Sequence, residues 1–388
     1  MVYLLISALP IPFIHPRRGN LWLMNYLKYL VCTMFIRVPQ VIDLLGRFLA
    51  FSWVLFFFSA CGGGDPEPEE DIYVFTKPPH FPKPVYTFEN NPVTKEGFEL
   101  GKKLFFDPIL SRDKSVSCNN CHQQSRAFAD SPLHPASIGV SNQIGSRNAP
   151  ALFNLAFMSE FFWDGGVTHL DFVPINAIES EIEMDETLAN VVKKLNEHDE
   201  YPQLFKEAFG VEEITSPFML HALSQFTAMM ISASSKYDKY ILGGESLSDE
   251  EIQGMTLFQQ KCAPCHSGEL FSDFSFRNNG LNGLFDDPGR GRITEDEDDH
   301  GKFRVPSLRN IELTAPYMHN AQFSTLEEVL DHYDEGMVGS STLDPLFKED
   351  GEVVGIPLNE MDKSRIIAFL KTLTDREFIS DPKFRNNE

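Results

Sequence analysis

The chain has little positive charge, few cysteines and few tryptophans. Among its 388 residues there are 33 Lys+Arg against 56 Asp+Glu, a net −23, with six Cys and three Trp. So acidic a balance argues against nucleic acid as a partner, because phosphate binding rests on Lys and Arg. It leaves open a basic soluble protein steered to an acidic surface, or solvated faces with no partner. Period-two alternation is scarce, and most apolar stretches repeat at helical spacing, so a β-rich fold is excluded. What remains is ordinary globular material, 42% hydrophobic and 23% charged, with length enough for two domains.

The first sixty residues differ from the rest. Arg17, Arg18, Lys28, Arg37 and Arg47 stand against one acid, Asp43, and the apolar run FLAFSWVLFFFSAC ends in small residues at Cys61. A basic flank followed by an apolar stretch reads as an export signal ending in a lipobox-like site, residues 1–60, with Cys61 acylated as a lipid anchor. A single N-terminal membrane helix is the alternative, and Met24 or Met34 offers a later start. Beyond Cys61, GGGDPEPEEDI cannot bury a core, which marks a tether over 61–90. Cys32 leaves with the signal and Cys61 carries the anchor, so the folded part keeps four cysteines.

All four lie in C-x-x-C-H: Cys118, Cys121 and His122, then Cys262, Cys265 and His266. Positions i and i+3 of a helix share a face. Two thiols can therefore bond one edge of a flat ligand while the histidine turns to the metal at its centre. This is the pattern of covalent c-type haem attachment. A disulfide or a zinc site made of both pairs is the competing reading; it leaves the twice-repeated histidine unexplained. The duplication is wider than the motif. GKKLFF precedes the first site and GMTLFQQ the second, each G-x-x-L-F, and Phe128-Ala129-Asp130 and Phe271-Ser272-Asp273 follow them. Ser248 and Glu251 predict a capping box opening the second module. The reading is a mainly α protein of two cytochrome c-like helical haem domains, joined near 240–247.

From about Thr94 onward, LGKKLFFDPILSRDKSVSCNNCH, RNAPALFNLAF, FFWDGG, EMD, FRVPSLRNIELTAPYMHNAQFSTLEEV and IIAFLKTLT resemble, in one order, the di-haem cytochrome c peroxidase family, including its MauG-like members. The resemblance implies an N-terminal peroxidatic haem domain over 91–245 and a C-terminal electron-transfer haem domain over 246–388. It implies that hydrogen peroxide meets the haem on His122 and that the haem on His266 passes electrons from a cytochrome c or similar donor. Glu183 matches the catalytic acid/base, and Trp163, the sole tryptophan after the signal, matches the residue between the haems. Asn148, Thr314 and Pro316 match the calcium-binding positions at the domain interface. Read without the resemblance, Glu183 is one solvated acid among Glu179, Glu181 and Asp185, Trp163 is a core aromatic, and Asn148 is a turn residue. The family setting is the periplasm or outer envelope, and a homodimer is permitted.

Four positions depart from the family pattern. Val140 follows Ser-Ile-Gly where better-known members have a ligating histidine, so the peroxidatic iron should keep an open sixth site; His134 is a weaker substitute. Tyr333 stands where many relatives have methionine. With Leu326, Val329 and Leu330 it forms an i, i+3, i+4, i+7 stripe, which predicts a side chain facing the second haem, with Met337 as rival and a packed core tyrosine as the alternative. A phenolate oxygen is a harder donor than a thioether, and MauG-like enzymes resemble this chain in using it. Gly166 and Val173 replace a common arginine and glutamine. Two activities follow: a cytochrome c-dependent peroxidase, or a MauG-like oxidase of a protein side chain or small organic molecule. A carrier or peroxide sensor without turnover is a third.

Overall fold

The structure is a computed structural model that describes residues 73–130 and 136–386; the signal, Cys61 and His134 lie outside them. Among the described residues eleven α-helical segments alternate with short turns. In the first half these are α1 (Lys95–Phe106), α2 (Cys118–Cys121), α3 (Val173–Glu179), α4 (Leu188–Asn196), α5 (Tyr201–Phe209), α6 (Ser216–Ala228) and α7 (Lys236–Ile241). In the second they are α8 (Asp249–Lys261), α9 (Gly291–Thr294), α10 (Leu326–Asp331) and α11 (Glu360–Lys371). Sheet is confined to two antiparallel ribbons, β1 (Phe276–Arg277) with β2 (Phe303–Arg304), and β3 (Lys348–Glu349) with β4 (Glu352–Val353). The long helices start on side chains suited to the first free N–H groups. Thr94 caps α1, Ser248 opens α8 with Glu251 closing the predicted box, and Thr325 with Glu328 does the same for α10.

Each module is built on one close helix pair, α1 against α6 and α8 against α11. The contact explains the repeated G-x-x-L-F. A Cβ on Gly101 would collide with the carbonyl oxygen of Ala222, and one on Gly254 with that of Arg365. Glycine is therefore the residue that lets the two backbones touch. Four residues past each carbonyl a phenylalanine closes the contact. Phe105 and Phe226 have ring centroids 5.2 Å apart at 59°, and Phe258 and Phe369 also 5.2 Å at 50°. Tilted aromatic pairs of this kind add about 0.5–1.5 kcal/mol beyond their buried area. The first pair anchors an apolar core running from Phe98 to Met230, and Phe378 and Phe384 of the C-terminal segment return to it. The second anchors a core from Phe258 to Leu373.

A buried polar node holds segments from both halves. Arg309 and Asp238 are fully buried and paired twice, at 2.9 and 2.8 Å. His80 Nε2 lies 2.9 Å from the same carboxylate, and the Arg309 guanidinium lies over the Phe81 ring at 4.6 Å. Ser232 accepts from Asn310 and exchanges two bonds with Asn154. The stretch 73–90, assigned to the tether by sequence, is thus packed on the body, with Phe81 and Tyr86 buried. The tether composition ends with the acidic run; the aromatics after it supply the burial that disorder lacks.

Two outcomes follow. Gly101→Ala and Gly254→Ala should each lower Tm of the haem-loaded protein, by a change on the order of 1–3 kcal/mol, although alanine in an open helix would gain about 1 kcal/mol; a Tm at or above wild type would refute the close approach. The second concerns acid stability. Burial pushes the Asp238 carboxyl up, but the Arg309 bonds and charge outweigh this and hold it below its ordinary value. Its contribution is therefore complete above about pH 4, the unfolded value, and is lost as pH falls through the lower folded one. Asp238→Asn should destabilise by about 3–5 kcal/mol near neutrality and flatten the acid limb of Tm against pH.

Candidate haem centres and the segment between them

The two C-x-x-C-H motifs converge on one geometry from different local structures. Cys118 to Cys121 form the single turn of α2, capped by Ser117, as the i, i+3 spacing predicts. Cys262 is instead the C-cap of α8, and Cys265 lies in the turn beyond it. In both, the histidine N–H closes on the first cysteine's carbonyl at 2.9 Å. The imidazoles are fixed alike. His122 Nδ1 lies 3.0 Å from the carbonyl oxygen of Phe128, and His266 Nδ1 3.3 Å from that of Phe271. Phe128 and Phe271 both take left-handed backbone, φ 59° and 52°, which is uncommon for so large a side chain. A carbonyl can only accept, so Nδ1 carries the proton and Nε2 keeps its lone pair for a metal. Burial lowers both histidines' pKa, leaving the rings neutral. It pushes the thiols up, Cys118 and Cys262 to about 12 and Cys121 to about 11.

These residues fit covalently attached haem. The four thiols are unbridged, and among the described residues no three His, Cys, Asp or Glu side chains converge as a metal site, so the two pairs do not build the zinc site weighed above. Beside His266 lies a cavity of about 230 Å³, lined by Cys262, Cys265, Phe258, Leu330, Ile366 and Tyr333 among others. Arg304 also lines it. The residue is buried, with Nε donating to the Phe162 carbonyl at 3.1 Å, and its terminal nitrogens have no hydrogen-bond partner among the described residues. Burial lowers its pKa to about 10 with the Glu160 charge working against it, and the carboxylates of a haem would be a further anion for a cation so placed.

Around the first centre, Glu183 is half-buried. Burial raises its carboxyl above the ordinary range, with a Ser180 hydrogen bond working against it. Val140, fully buried, donates its N–H to the Glu183 carbonyl at 2.7 Å. Any side chain at Gly139 would collide with the carbonyls of Ile182 and Glu183. The Ser-Ile-Gly-Val segment is therefore seated directly on the strip that carries the acid.

Between the centres, Asn148 is a hub. Its N–H donates to the His319 carbonyl at 2.8 Å and its Nδ2 to that of Pro316 at 2.6 Å, and its own carbonyl accepts from Trp163 Nε1 at 2.8 Å. Arg126, just past the first motif, donates to the Ala315 carbonyl at 2.8 Å. Asn148, Thr314, Pro316 and Trp163 line the same cavity as His266. The turn after Trp163 is held by charge. Arg147 and Arg292 both bond Asp164, at 2.6 and 2.5 Å, and Ile293 of α9 lies over Gly166. No side chain from Gly166 is needed there, because the guanidinium groups come from elsewhere.

Tyr333 lies on the cavity wall, but the regular helix predicted to carry it ends at Asp331, and His332–Gly336 form a π-helical turn. Burial pushes its phenol up to about 12, with the Asn279 bond working against it. His332 points away, Nε2 to the Asn279 carbonyl at 3.0 Å. Met337 is not on that wall; Met318 is. Sequence reasoning also missed Arg304, Asn279 and His319, whose ring stacks on Phe303 at 3.5 Å. Arg304 sits in the short strand β2, and Asn279 and His319 sit in loops; their partners are distant in the chain, and no local spacing announces them.

Residues 95–246 match the family described as di-haem cytochrome c peroxidase. The methylamine utilization protein MauG of Methylorubrum extorquens is 35% identical over 305 residues, covering 77% of this chain and 83% of that one. The cytochrome c551 peroxidase of Nitrosomonas europaea is 35% identical over 282 residues, 71% and 79%. Among solved structures, a MauG-like protein associated with microbial copper homeostasis superposes with a TM-score of 0.73 at 33% identity, covering 81% of this chain and 99% of that one. The diheme peroxidase BthA of Burkholderia thailandensis shares the fold, with a TM-score of 0.63 at 21% identity over 74% and 87%. With two attachment motifs, one scaffold used twice and relatives of both kinds at a third identity, this chain belongs to the di-haem cytochrome c peroxidase family.

Proposed function

We propose that the chain reduces hydrogen peroxide to water at the His122 centre and draws its electrons through the His266 centre from a small cytochrome c. The bound haems supply the redox chemistry; the chain's residues supply proton transfer, access and the path between them. The observation that carries the reading is the seating of Val140 on Glu183. Valine offers no donor atom to iron, so nothing at that position competes with peroxide. The half-buried Glu183 carboxylate would take a proton from the near peroxide oxygen and return it to the far one, which leaves as water; two electrons from the donor and two protons from solvent would then release the remaining oxygen as a second water. A carboxyl raised by burial is better matched to this work near neutrality than a solvated one. Trp163, tied to Asn148 and facing the second cavity, is the route between the centres. Asn148 with the carbonyls of Thr314 and Pro316 offers hard oxygen donors suited to a calcium ion. Export and acylation at Cys61 would set the enzyme in the periplasm or outer envelope.

Tyr333 favours a second reading. A hard phenol oxygen at the His266 centre disfavours the reduced state, which suits MauG-like oxidation of a protein side chain or an organic molecule better than repeated reduction by cytochrome c.

Glu183→Gln should lower peroxide turnover about 10²- to 10⁴-fold while haem content and Tm stay at wild type. Because the ionised form is the base, wild-type activity should rise with pH through a value above the ordinary carboxylate range, and the variant should lose that limb; full activity in the variant would remove Glu183 as the acid/base, and no turnover by either protein would favour a carrier or sensor. To separate donors, the oxidised protein is mixed with one equivalent of peroxide. An immediate change in the haem spectrum without prior reduction is expected. Reduced cytochrome c is then added, and its oxidation no faster than background would shift the assignment to the second reading.

A further inference from the structure

Tyr333 and Met318 are among the side chains able to bind iron in the cavity that His266 also lines, and one amide touches both. Asn279 Nδ2 lies 3.3 Å from Tyr333 Oη and 3.5 Å from Met318 Sδ. An amide nitrogen has two protons, so both are committed, one to the hard donor and one to the soft. The backbone carbonyl of Asn279 meanwhile accepts from His332 Nε2 at 3.0 Å. One residue thus fixes both neighbours in the π-helical turn, a form that recurs at functional sites. Met318 takes left-handed backbone, φ 70°, which is uncommon for a non-glycine residue. Its carbonyl accepts from Asn148 Nδ2 at 3.3 Å and from the Ala321 N–H at 3.2 Å. Removing the amide frees the thioether.

We propose that Asn279 is a positioning residue that selects the donor presented to the second centre, aiming the Tyr333 oxygen into the cavity and restraining the Met318 sulfur. The proposal rests on the reading of Tyr333 as the sixth ligand there. It assigns the selection to a side chain outside every motif that marks the family in this sequence.

The test uses haem-loaded protein and reads the optical spectrum and the reduction midpoint of the second centre. In Asn279→Leu, which keeps size and loses both donors, the phenolate-to-iron band should fall to less than half, and the midpoint should shift upward as sulfur replaces oxygen. Adding Met318→Leu should cancel the upward shift. Asn279→Asp, equal in shape but without donors, repeats the measurement should the leucine variant load haem poorly. A spectrum and midpoint unchanged in both Asn279 variants, or a shift that survives Met318→Leu, would overturn the selection. Tyr333→Phe in the wild-type background reports separately on the ligand itself: an unaltered spectrum there removes Tyr333 as ligand, whatever Asn279 does.

Discussion

Contact between two helix backbones at a glycine, made once in each half, is the constraint on which the rest depends. At Gly101 and Gly254 the approach is so close that a carbonyl of the partner helix occupies the place of a side chain. Everything that follows in each module takes its position from that contact. Phe105 and Phe258 are carried one turn further along α1 and α8 and stack on the partner helix. Phe128 and Phe271 pack against those rings in turn, at 6.0 and 5.8 Å. Their left-handed backbone then points a carbonyl at the histidine. A glycine, two phenylalanines and a carbonyl thus connect the helix crossing to the orientation of an imidazole in four steps.

This chain of contacts explains what was legible in the sequence. The motif spacing, the repeated G-x-x-L-F and the Ser248–Glu251 cap are local, and each works through atoms within a turn or two of itself. The fold class followed from them. What did not follow is held by contacts across long separations. Asn279 reaches Tyr333 over 54 positions and Met318 over 39; Arg304 faces a cavity that exists only once both halves are folded. The helix stripe put Tyr333 on the correct wall for a reason that was only partly right. The α-helix stops at Asp331, and the wider π turn still brings the ring round to the side of Leu326 and Leu330. The packed arm at 73–90 was hidden for a different reason: its prolines and charges read as linker, and the energy lies in a few aromatics with distant partners.

The seam between the halves combines main-chain bonds with side-chain pairs such as Arg147–Asp287 and Arg292–Asp164. Asn148 uses its N–H and amide on the 315–319 segment and its carbonyl on Trp163, and Arg126 adds a bond to Ala315. Such bonds fix distance and angle but add modest net stability, about 0.5–1.5 kcal/mol each. The stabilising weight is borne elsewhere, by the Arg309–Asp238 node and the two cores. That division would suit the proposed route for charge between the two centres. Trp163 is placed by hydrogen bonds of defined geometry, and the charged turn at Asp164 is tied to two arginines so that the indole's neighbours cannot drift.

A duplicated scaffold acquires two chemistries only if something breaks the symmetry, and here the residues around the two histidines differ. Near the first, an apolar Val140 rests on the backbone of Glu183 and offers no donor, which would suit proton transfer. Near the second, Tyr333, Met318 and Asn279 line the cavity with His266, and among the described residues no carboxylate lines it. The same fixed imidazole serves both, because Nδ1 is engaged in the same way in each. The identity of the opposing residue then governs what each centre can do: an uncommitted position beside a base favours bond-breaking in a small oxidant, whereas a hard donor already in place favours holding an oxidised state. The asymmetry lies in a handful of side chains, and the helices beneath them are interchangeable.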